Sequence, residues 1–412
     1  MTMSEHFDAL ETRDPAAREQ ALMARLPAQI AHAKAHAPWF ADRLRDVDAA
    51  AITSRTALAQ LPVVRKHELI ELQKLHRPFG GLVASRWGQM GRVFSSPGPI
   101  YEPEGRNADY WRTARALFAA GFRSGDLVHN SFSYHMTPGG WIMESGALAL
   151  GCTVFPGGVG QTEQQLQAMA DLQPHGYVGT PSFLRILLDK ADELGLQIPS
   201  LTKALVSGEA FLPPVREAFA ARGIAGFQCY ATADLGVIAY ETPAREGMVV
   251  DEEVILEIVR PGTGEPVPEG EVGEVVVTTF NPTYPLIRFG TGDLSAILPG
   301  RSACGRTNAR IKGWMGRADQ TAKVKGMFVH PEQVEAVRKR HPEIARARLV
   351  ITNPDSSDAM TLHCEAAPQD GLAAAIAASL RELTKLRGEV VLAVPGTLPN
   401  DGRVISDERK YD

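Results

Sequence analysis

The chain of 412 residues is 44% hydrophobic and 22% charged, and its formal net charge is −5. That length exceeds what one hydrophobic core usually supports, so we expect two unequal globular domains. The acidic balance argues against nucleic acid or an anionic membrane as the main partner. Because the sequence has no long apolar run and no signal-like start, we expect a cytoplasmic protein without a membrane span.

The first half of the chain shows helices followed by the pattern of a parallel sheet. Apolar residues recur at helical spacing within residues 15–46, and from about 107 to 230 short apolar strands alternate with helical segments. One helix is predicted to open at Thr180-Pro181, a cap residue followed by proline, and to end at Gly195. Thr162-Glu-Gln-Gln165 has the form of a capping box at the start of another helix. This alternation predicts an α/β fold.

The pattern changes after about residue 246, where strand-like segments between Pro/Gly turns predict a small antiparallel β unit. A second change falls near Gly316. From there to the end, a β-turn-β unit, helices and further strands predict an α+β lobe. We therefore predict a large N-terminal domain (1–315) with mostly parallel sheets and a small β unit, and a small, mobile α+β C-terminal domain (316–412).

A Thr-Gly-Asp turn at Asp293 is followed about two dozen residues later by Arg317. A carboxylate held in such a turn can accept charge-assisted hydrogen bonds from both vicinal hydroxyls of a ribose. The arginine can bind the other side of the sugar or a phosphoryl oxygen. The pair predicts a nucleotide clamp at a domain junction. The alternative is a plain turn with a surface salt bridge, which contributes little stability.

Seven segments, taken in order, resemble the phenylacetate–CoA ligase family of adenylate-forming enzymes. The resemblance extends over nearly the whole chain, from about residue 60 to the end. The segments are Gly151–Gly158, Thr162–Leu166, Val178–Ser182, Ser207–Ala210, Leu286–Asp293, Cys304–Thr307 and the stretch from Gly316 to Glu335.

The resemblance implies a two-step reaction on an aromatic or small carboxylic acid. The acid attacks the α-phosphorus of ATP to give an acyl-adenylate, and the thiol of CoA then displaces AMP. ATP/AMP, Mg²⁺ and coenzyme A are the expected cofactors, and a homodimer is usual among relatives. Domain closure is expected to keep water away from the mixed anhydride.

The resemblance also implies nucleotide-binding roles. Asp293 would bind the ribose hydroxyls, Arg317 the ribose or a phosphate, and Asp319 would act as the hinge. The turn Gly208-Glu209-Ala210 would lie against adenine, and the alternative for it is a simple strand-to-loop glycine.

Tyr230-Ala-Thr-Ala-Asp234 occupies the place of the family's Tyr-Gly-x-Thr-Glu. Tyr230 would flank the adenine, and Thr232 would touch a phosphate. Asp234 would stand in for the magnesium-binding Glu, because a hard cation prefers carboxylate oxygens.

Two further groups complete the predicted site. Lys325 and Gly326 would contact CoA, since a glycine lets the pantetheine chain approach the backbone; the alternative is a hairpin glycine. An aromatic floor with space made by glycines predicts the acid pocket, where His135 is a candidate catalytic residue or a structural histidine. The pocket residues are Phe132, Tyr134, His135, Gly139 and Gly140.

Two departures from the family pattern concern ATP. The phosphate loop reads Ser95-Ser-Pro-Gly-Pro-Ile-Tyr-Glu-Pro103, in which Pro97 and Pro99 remove backbone donors and Glu102 stands near the expected lysine. The C-terminal lysine is replaced by Arg403, with Lys410 as a distant substitute; arginine keeps the charge but in a planar fork. The alternative hypotheses are therefore a degenerate relative that binds nucleotide, acyl-adenylate or acyl-CoA as a sensor or carrier, and ATP-independent acyl transfer.

Overall fold

The computed structural model describes residues 5–96, 99–318, 320, 322–324, 327–352 and 358–409. The chain forms two compact units. The first comprises Met1–Leu256, Val277–Phe289 and Leu298–Trp314, and the second comprises Glu257–Val276, Gly290–Ile297 and Met315–Asp412. The second unit thus includes two segments that precede residue 316, and the sequence boundary at 315/316 stays a prediction.

Helices and strands alternate over much of the described chain. The α-helices there are α1 (Pro15–His36), α2 (Pro38–Arg43), α3 (Arg55–Leu58), α4 (Leu69–Leu75), α5 (Thr113–Ala119), α6 (Gly139–Ala149), α7 (Thr162–Leu172), α8 (Pro181–Leu194), α9 (Pro213–Ala221), α10 (Pro331–Arg340) and α11 (Leu372–Thr384). The strands up to the middle of the chain are β1 (Val64–Arg65), β2 (Arg92–Ser96), β3 (Ile100–Glu104), β4 (Leu127–Asn130), β5 (Thr153–Pro156), β6 (Gly176–Gly179), β7 (Lys203–Val206), β8 (Ala225–Thr232), β9 (Gly236–Glu241), β10 (Met248–Val250) and β11 (Val254–Val259). The later strands are β12 (Gly273–Thr279), β13 (Phe289–Ser295), β14 (Ile297–Leu298), β15 (Arg310–Ile311), β16 (Ala322–Val324), β17 (Met327–Val329), β18 (Arg346–Thr352), β19 (Ala359–Glu365), β20 (Glu389–Ala393) and β21 (Ile405–Asp407).

A nine-stranded sheet with the order β14-β15-β10-β9-β8-β7-β6-β4-β5 dominates the first unit. Its strands β5, β4, β6, β7 and β8 are parallel to one another, whereas β9 pairs with β8 in the antiparallel sense. The predicted α/β class with a mostly parallel sheet is therefore confirmed.

Consecutive residues of the central strands are buried on opposite faces of this sheet. Tyr177 and Ala204 pack with residues of α7, α8 and α9, whereas Val178 and Leu205 pack with residues of α5 and α6. A strand covered by helices on both faces needs apolar residues at every position, and this explains the short uninterrupted apolar runs in the sequence.

The second unit contains its own sheet with the order β20-β19-β18-β21. Strands β18 and β19 are antiparallel, and β21 and β20 add in parallel on the two edges. Apolar residues from this sheet, α10 and α11 form one buried core, which includes Val334, Leu349, Leu362 and Ile376. The predicted α+β lobe is confirmed.

Three smaller sheets complete the fold. Strands β1, β13, β12 and β11 form a four-stranded sheet in that order, β2 and β3 form a hairpin, and β16 and β17 form an antiparallel pair. No α-helix in the described residues is long and apolar enough to span a bilayer. All four cysteines are free.

Some local predictions were wrong. Helix α7 is capped by Gln161, not Thr162, and Gln161 makes no side-chain cap hydrogen bond. The side chain of Gln165 cannot complete a capping box because it bonds the backbone oxygens of Gly158 and Gly160. The first strand-like segment after residue 246, which the pattern of residues 249–258 predicts as one strand, is divided into β10 and β11, and β21 was not predicted.

Helices α5 and α6 pack closely against each other at Gly146. A Cβ atom on this glycine would lie 2.5 Å from Cβ of Thr113 and 2.6 Å from the backbone nitrogen of Ala114. We expect Gly146→Ala to destabilise the protein by roughly 1–3 kcal/mol, because over-packing outweighs the better helix propensity of alanine. Chemical unfolding monitored by circular dichroism measures this. The control is Ser145→Ala on the same helix, and equal stability of the two variants would contradict the close packing.

Candidate active site

The residues predicted to line the active site follow the carboxyl ends of parallel strands. Phe132 and its neighbours come after β4, Gly208 comes after β7, and Tyr230 and Thr232 end β8. Strand β4 lies between β5 and β6. The chain therefore passes from β4 to its neighbour on one flank, β5, and then crosses over to β6 on the other flank. Open α/β sheets bind ligands at such a switch point, outside the carboxyl ends of their strands.

The loop predicted for adenine and the pocket predicted for the acid share one aromatic ring. A Cβ atom on Gly208 would lie 3.6 Å from Cε1 of Phe132, and one on Gly139 would lie 3.5 Å from Cδ1 of the same ring. Gly208 also has a φ of +85°, a conformation that favours glycine. The fold thus brings these sequence-distant residues together.

The phenol of Tyr134 is fixed by two hydrogen bonds. It donates to Oε2 of Glu144 and accepts from Nδ2 of Asn130, both at 2.8 Å. Burial, together with Glu144, raises the pKa of Tyr134. The absence of a side chain at Gly140 leaves space for the ring, because a Cβ atom there would lie 2.8 Å from Cδ2 of Tyr134. His135 is exposed, and its backbone N–H donates to Oγ of Ser133 at 3.2 Å.

The turn after β7 is exposed and tied to the start of α8. Oε1 of Glu209 accepts a hydrogen bond of 2.6 Å from the backbone N–H of Ser182, while Gly208 and Ala210 are exposed. Tyr230 is buried. The hydroxyl oxygen of Thr232 accepts from the backbone N–H of Leu235 at 3.1 Å.

A buried group of charges lies beside the predicted phosphate loop. Nζ of Lys66 is 2.7 Å from Oδ2 of Asp234, whose side chain is fully buried. Oδ1 of Asp234 is buried without a hydrogen-bond partner in the described part of the chain. No sequence pattern marks Lys66, and it was missed.

Glu102 turns inward instead of facing a ligand. Its Oε2 accepts from the backbone N–H of Ser96 at 3.2 Å, and its Oε1 accepts from the hydroxyl of Ser96. The hairpin pairs Ser96 with Ile100 and Phe94 with Glu102. Burial, followed by the charge of Asp234, raises the pKa of Glu102 to about 8, although Ser96 and Lys66 act in the opposite direction.

In the second unit, Nη1 of Arg317 lies 3.0 Å from Oδ1 of Asp293. The backbone holds this pair, since Asp293 and Arg317 form a β-bridge. Gly292, with a φ of +74°, gives the guanidinium room because a Cβ atom there would lie 2.8 Å from Nη2. Arg403 is exposed and lines, together with Arg317, a cavity of about 240 Å³.

Several predicted residues lie outside the described residues. They are Pro97 in the phosphate loop, the hinge residue Asp319, the CoA-contacting Lys325 and Gly326, and the substitute lysine Lys410.

Comparison with known proteins shows the family of this chain. The family described as AMP-binding enzyme matches residues 111–282. The phenylacetate-coenzyme A ligase of Aromatoleum evansii is 32% identical over 77% of this chain and 74% of its own. That of Thermus thermophilus is 31% identical over 83% and 80%, respectively. The chain belongs to the phenylacetate–CoA ligase family.

Solved structures extend the family likeness to the fold. Crystal structures of 2-hydroxyisobutyryl-CoA ligase, one with R3-HIB-AMP and one with 2-HIB-AMP and CoA, are 25% identical to this chain. Their TM-scores are 0.74 and 0.73, and they cover 99% and 100% of this chain and 93% and 94% of the other. The family resemblance predicted from the sequence motifs is confirmed.

The surroundings of Asp234 do not fit the magnesium ion that the family resemblance implies. The ammonium of Lys66 already neutralises one oxygen of this carboxylate, and a second cation there would be repelled. The described residues contain no group of three or more His, Cys, Asp or Glu side chains that could hold a metal. The magnesium site stays a prediction, and no step below depends on it.

The raised pKa of Glu102 predicts a pH-dependent stability. An acid with a pKa of 4.5 unfolded and about 8 folded binds more protons in the folded state between these values. Stability from this group is therefore present below about pH 4.5 and is lost as the pH rises through about 8. We expect the melting temperature of Glu102→Gln, relative to wild type, to rise by at least about 2 °C between pH 5 and pH 8. Differential scanning calorimetry measures this, with the exposed Glu163→Gln as control. A difference in melting temperature between Glu102→Gln and wild type that stays constant with pH would contradict the raised pKa of Glu102.

Proposed function

We propose that this protein is an AMP-forming acid–thiol ligase that activates an aromatic or small carboxylic acid and passes it to CoA. The observation that carries the proposal is the convergence of Phe132, Gly139 and Gly208 at the carboxyl ends of β4 and β7. One aromatic ring lies next to both the pocket predicted for the acid and the turn predicted for adenine. A carboxylate and a nucleotide bound against it would be neighbours, as adenylation requires.

The relatives support this reaction and its cofactors. Four curated relatives that cover 77–83% of the chain are phenylacetate-coenzyme A ligases. The solved 2-hydroxyisobutyryl-CoA ligase holds an acyl-adenylate together with CoA. We therefore assign ATP/AMP and CoA as cofactors. A homodimer and a cytoplasmic location stay predictions from the sequence.

The predicted nucleotide-binding residues would each contact a different part of the nucleotide. Asp293 accepts hydrogen bonds from the ribose, and Arg317 orients that carboxylate while leaving one side of the guanidinium exposed. Tyr230 and the turn at Gly208 pack against adenine. Arg403 supplies positive charge toward the phosphate as the mixed anhydride forms, which lowers the energy of the developing negative charge.

The acid pocket selects a planar or short substrate. Phe132 gives an apolar wall, and Tyr134, held neutral, presents no charge to the body of the acid. Gly140 keeps Tyr134 in place. His135 is exposed and its role as a catalytic residue stays a prediction.

The ligase is tested by incubating the protein with ATP, Mg²⁺, CoA and a panel of aryl and small carboxylic acids. Release of pyrophosphate and formation of an acyl-CoA, measured by mass spectrometry, are expected for at least one acid. A panel of aryl acids that gives neither product would exclude the proposal.

A ribose-binding Asp293 predicts a specific kinetic effect. We expect Asp293→Asn to lower kcat/KM for ATP by roughly 10–100-fold, because one charge-assisted hydrogen bond contributes about 1.5–3 kcal/mol. Steady-state pyrophosphate release measures this. The control is Asp370→Asn, an exposed aspartate of the same unit, and an equal rate for the two variants would contradict the assignment.

A second function is favoured by one observation, the inward Glu102. Its carboxylate uses the N–H and hydroxyl of Ser96, donors that lie at the predicted phosphate loop. A protein with this arrangement would bind nucleotide, acyl-adenylate or acyl-CoA without efficient use of ATP, as a sensor, carrier or ATP-independent acyl transferase.

The two functions differ in their response to Glu102→Gln. If ATP is used, Glu102→Gln is expected to lower the KM for ATP several-fold above about pH 8, where the Glu102 carboxylate is charged and repels the phosphates. Thioester formation from a synthetic acyl-adenylate and CoA is expected to stay unchanged. Calorimetry with ATP and AMP gives the complementary result. ATP that binds no tighter than AMP to either protein, without turnover, would favour the second function.

A further inference from the structure

A cavity of about 940 Å³ in the first unit contains none of the predicted active-site residues. Helix α2, the end of α4 and the segment 76–90 form its walls. The walls are fixed by a close backbone approach: the N–H of Trp39 donates to the carbonyl of Gly81 at 2.9 Å. Gly81 has a φ of +77°, and a Cβ atom there would lie 3.2 Å from the nitrogen of Trp39.

The lining of this cavity is mostly apolar and aromatic. Phe79 and Met90 are buried, and the ring of Phe79 lies 5.6 Å from that of Trp87. Trp87 and Leu75 also line the cavity although they are 68% and 74% exposed. Contiguous apolar patches on a protein surface often mark binding sites.

The polar groups of the lining are mainly hydrogen-bond donors. Arg43, Arg77 and Arg86 line the cavity, and in the described part of the chain none of their side chains makes an ion pair with a carboxylate. The guanidinium of Arg43 lies 5.7 Å from the centre of the Trp39 ring. The carboxylate of Asp42, which also lines the cavity, is paired with Arg45 at 2.6 Å.

Apolar and cationic groups meet in the same lining. The cavity combines an apolar body with three arginines whose side chains make no ion pair with a carboxylate in the described part of the chain.

We propose that this cavity binds an organic anion, in which a carboxylate or phosphate group is attached to an aromatic or acyl body. The apolar body packs against Trp87, Phe79 and Met90, and the acidic group contacts Arg43, Arg77 and Arg86. Guanidinium groups recognise carboxylate and phosphate through paired N–H donors. The volume suits a small-molecule ligand. This binding site shares no lining residue with the predicted ligase site.

The test compares charged and neutral ligands of the same shape. Isothermal titration calorimetry measures naphthalene-2-carboxylate, 2-naphthyl phosphate and 2-naphthamide against the full chain. The test variant is Arg43→Ala/Arg77→Ala/Arg86→Ala. The control removes three exposed arginines elsewhere, Arg25→Ala/Arg222→Ala/Arg340→Ala, and so has the same net charge.

We expect the test variant to bind at least one of the two anions about tenfold more weakly than wild type, and the amide equally. The anion that loses more affinity identifies the acidic group as carboxylate or phosphate. Equal anion affinity for wild type and test variant, or an equal loss in the control variant, would overturn the proposal.

A second measurement does not depend on the folding of a variant. Wild type alone is expected to prefer the anions over the amide at low salt, and to lose that preference as salt screens the guanidinium groups. The absence of any preference at low salt would also overturn the proposal.

Failure of the ligase proposal is recognised separately, since the triple variant is expected to keep any acid-dependent pyrophosphate release of the wild type.

Discussion

Strands buried on both faces can present polar groups only at their ends, and the candidate active site depends on this constraint. Tyr177 and Val178 are adjacent in β6, yet they face different helical layers and both are fully buried. Polar side chains at the strand ends, or directly after them, donate hydrogen bonds to backbone carbonyls. Nδ2 of Asn130 donates to the carbonyl of Gly140 at 2.9 Å, and Oγ of Ser207 donates to that of Cys229 at 2.8 Å. These bonds hold the loops in place, so an acid and a nucleotide would meet a prearranged surface.

The first unit buries two carboxylates near the predicted phosphate loop, which is energetically unfavourable. Glu102 and Asp234 are both buried, and one ammonium, that of Lys66, pairs with Asp234. Burial of an unbalanced carboxylate is unfavourable, and here it is relieved by a raised pKa at Glu102. The inward Glu102 satisfies Ser96, but it places an acidic group where the family resemblance predicts phosphate. The two proposed functions are therefore distinguished at this one side chain.

The sequence predicted regular structure where local rules and packing agree. Thr180 caps the N–H of Phe183, and Gly195 ends α8 with a φ of +66°, as the cap residue and the glycine indicated. The capping box at Thr162 failed because Gln165 is needed elsewhere, between His129 and the carbonyls of Gly158 and Gly160. Such competition arises only from the tertiary fold and leaves no trace in local sequence.

The site was predicted in the same uneven way. Asp293 and Arg317 carry a recognisable turn and spacing, and the structure places them in contact. Lys66 has no motif, because its role depends on Asp234, a residue far away in sequence that only the fold brings near. The orientation of Glu102 follows from the register of a hairpin, and a shift of one residue would turn its side chain to the other face. Register is set by the partner strand and not by the residue itself.

The two arginines of the second unit are prepared to different degrees for binding an anion. Arg317 is held by a carboxylate, a β-bridge and the space over Gly292, so little of its side-chain freedom remains to be lost. The side chain of Arg403 is exposed and makes no hydrogen bond or ion pair with the described residues, so ordering it costs up to about 2 kcal/mol of side-chain entropy. A bound anion would therefore gain more binding free energy from Arg317 than from Arg403. Only a strong negative charge would offset the entropy lost when Arg403 is ordered. Arg403 is therefore suited to stabilise charge that develops during a reaction, and less suited to bind the ground state.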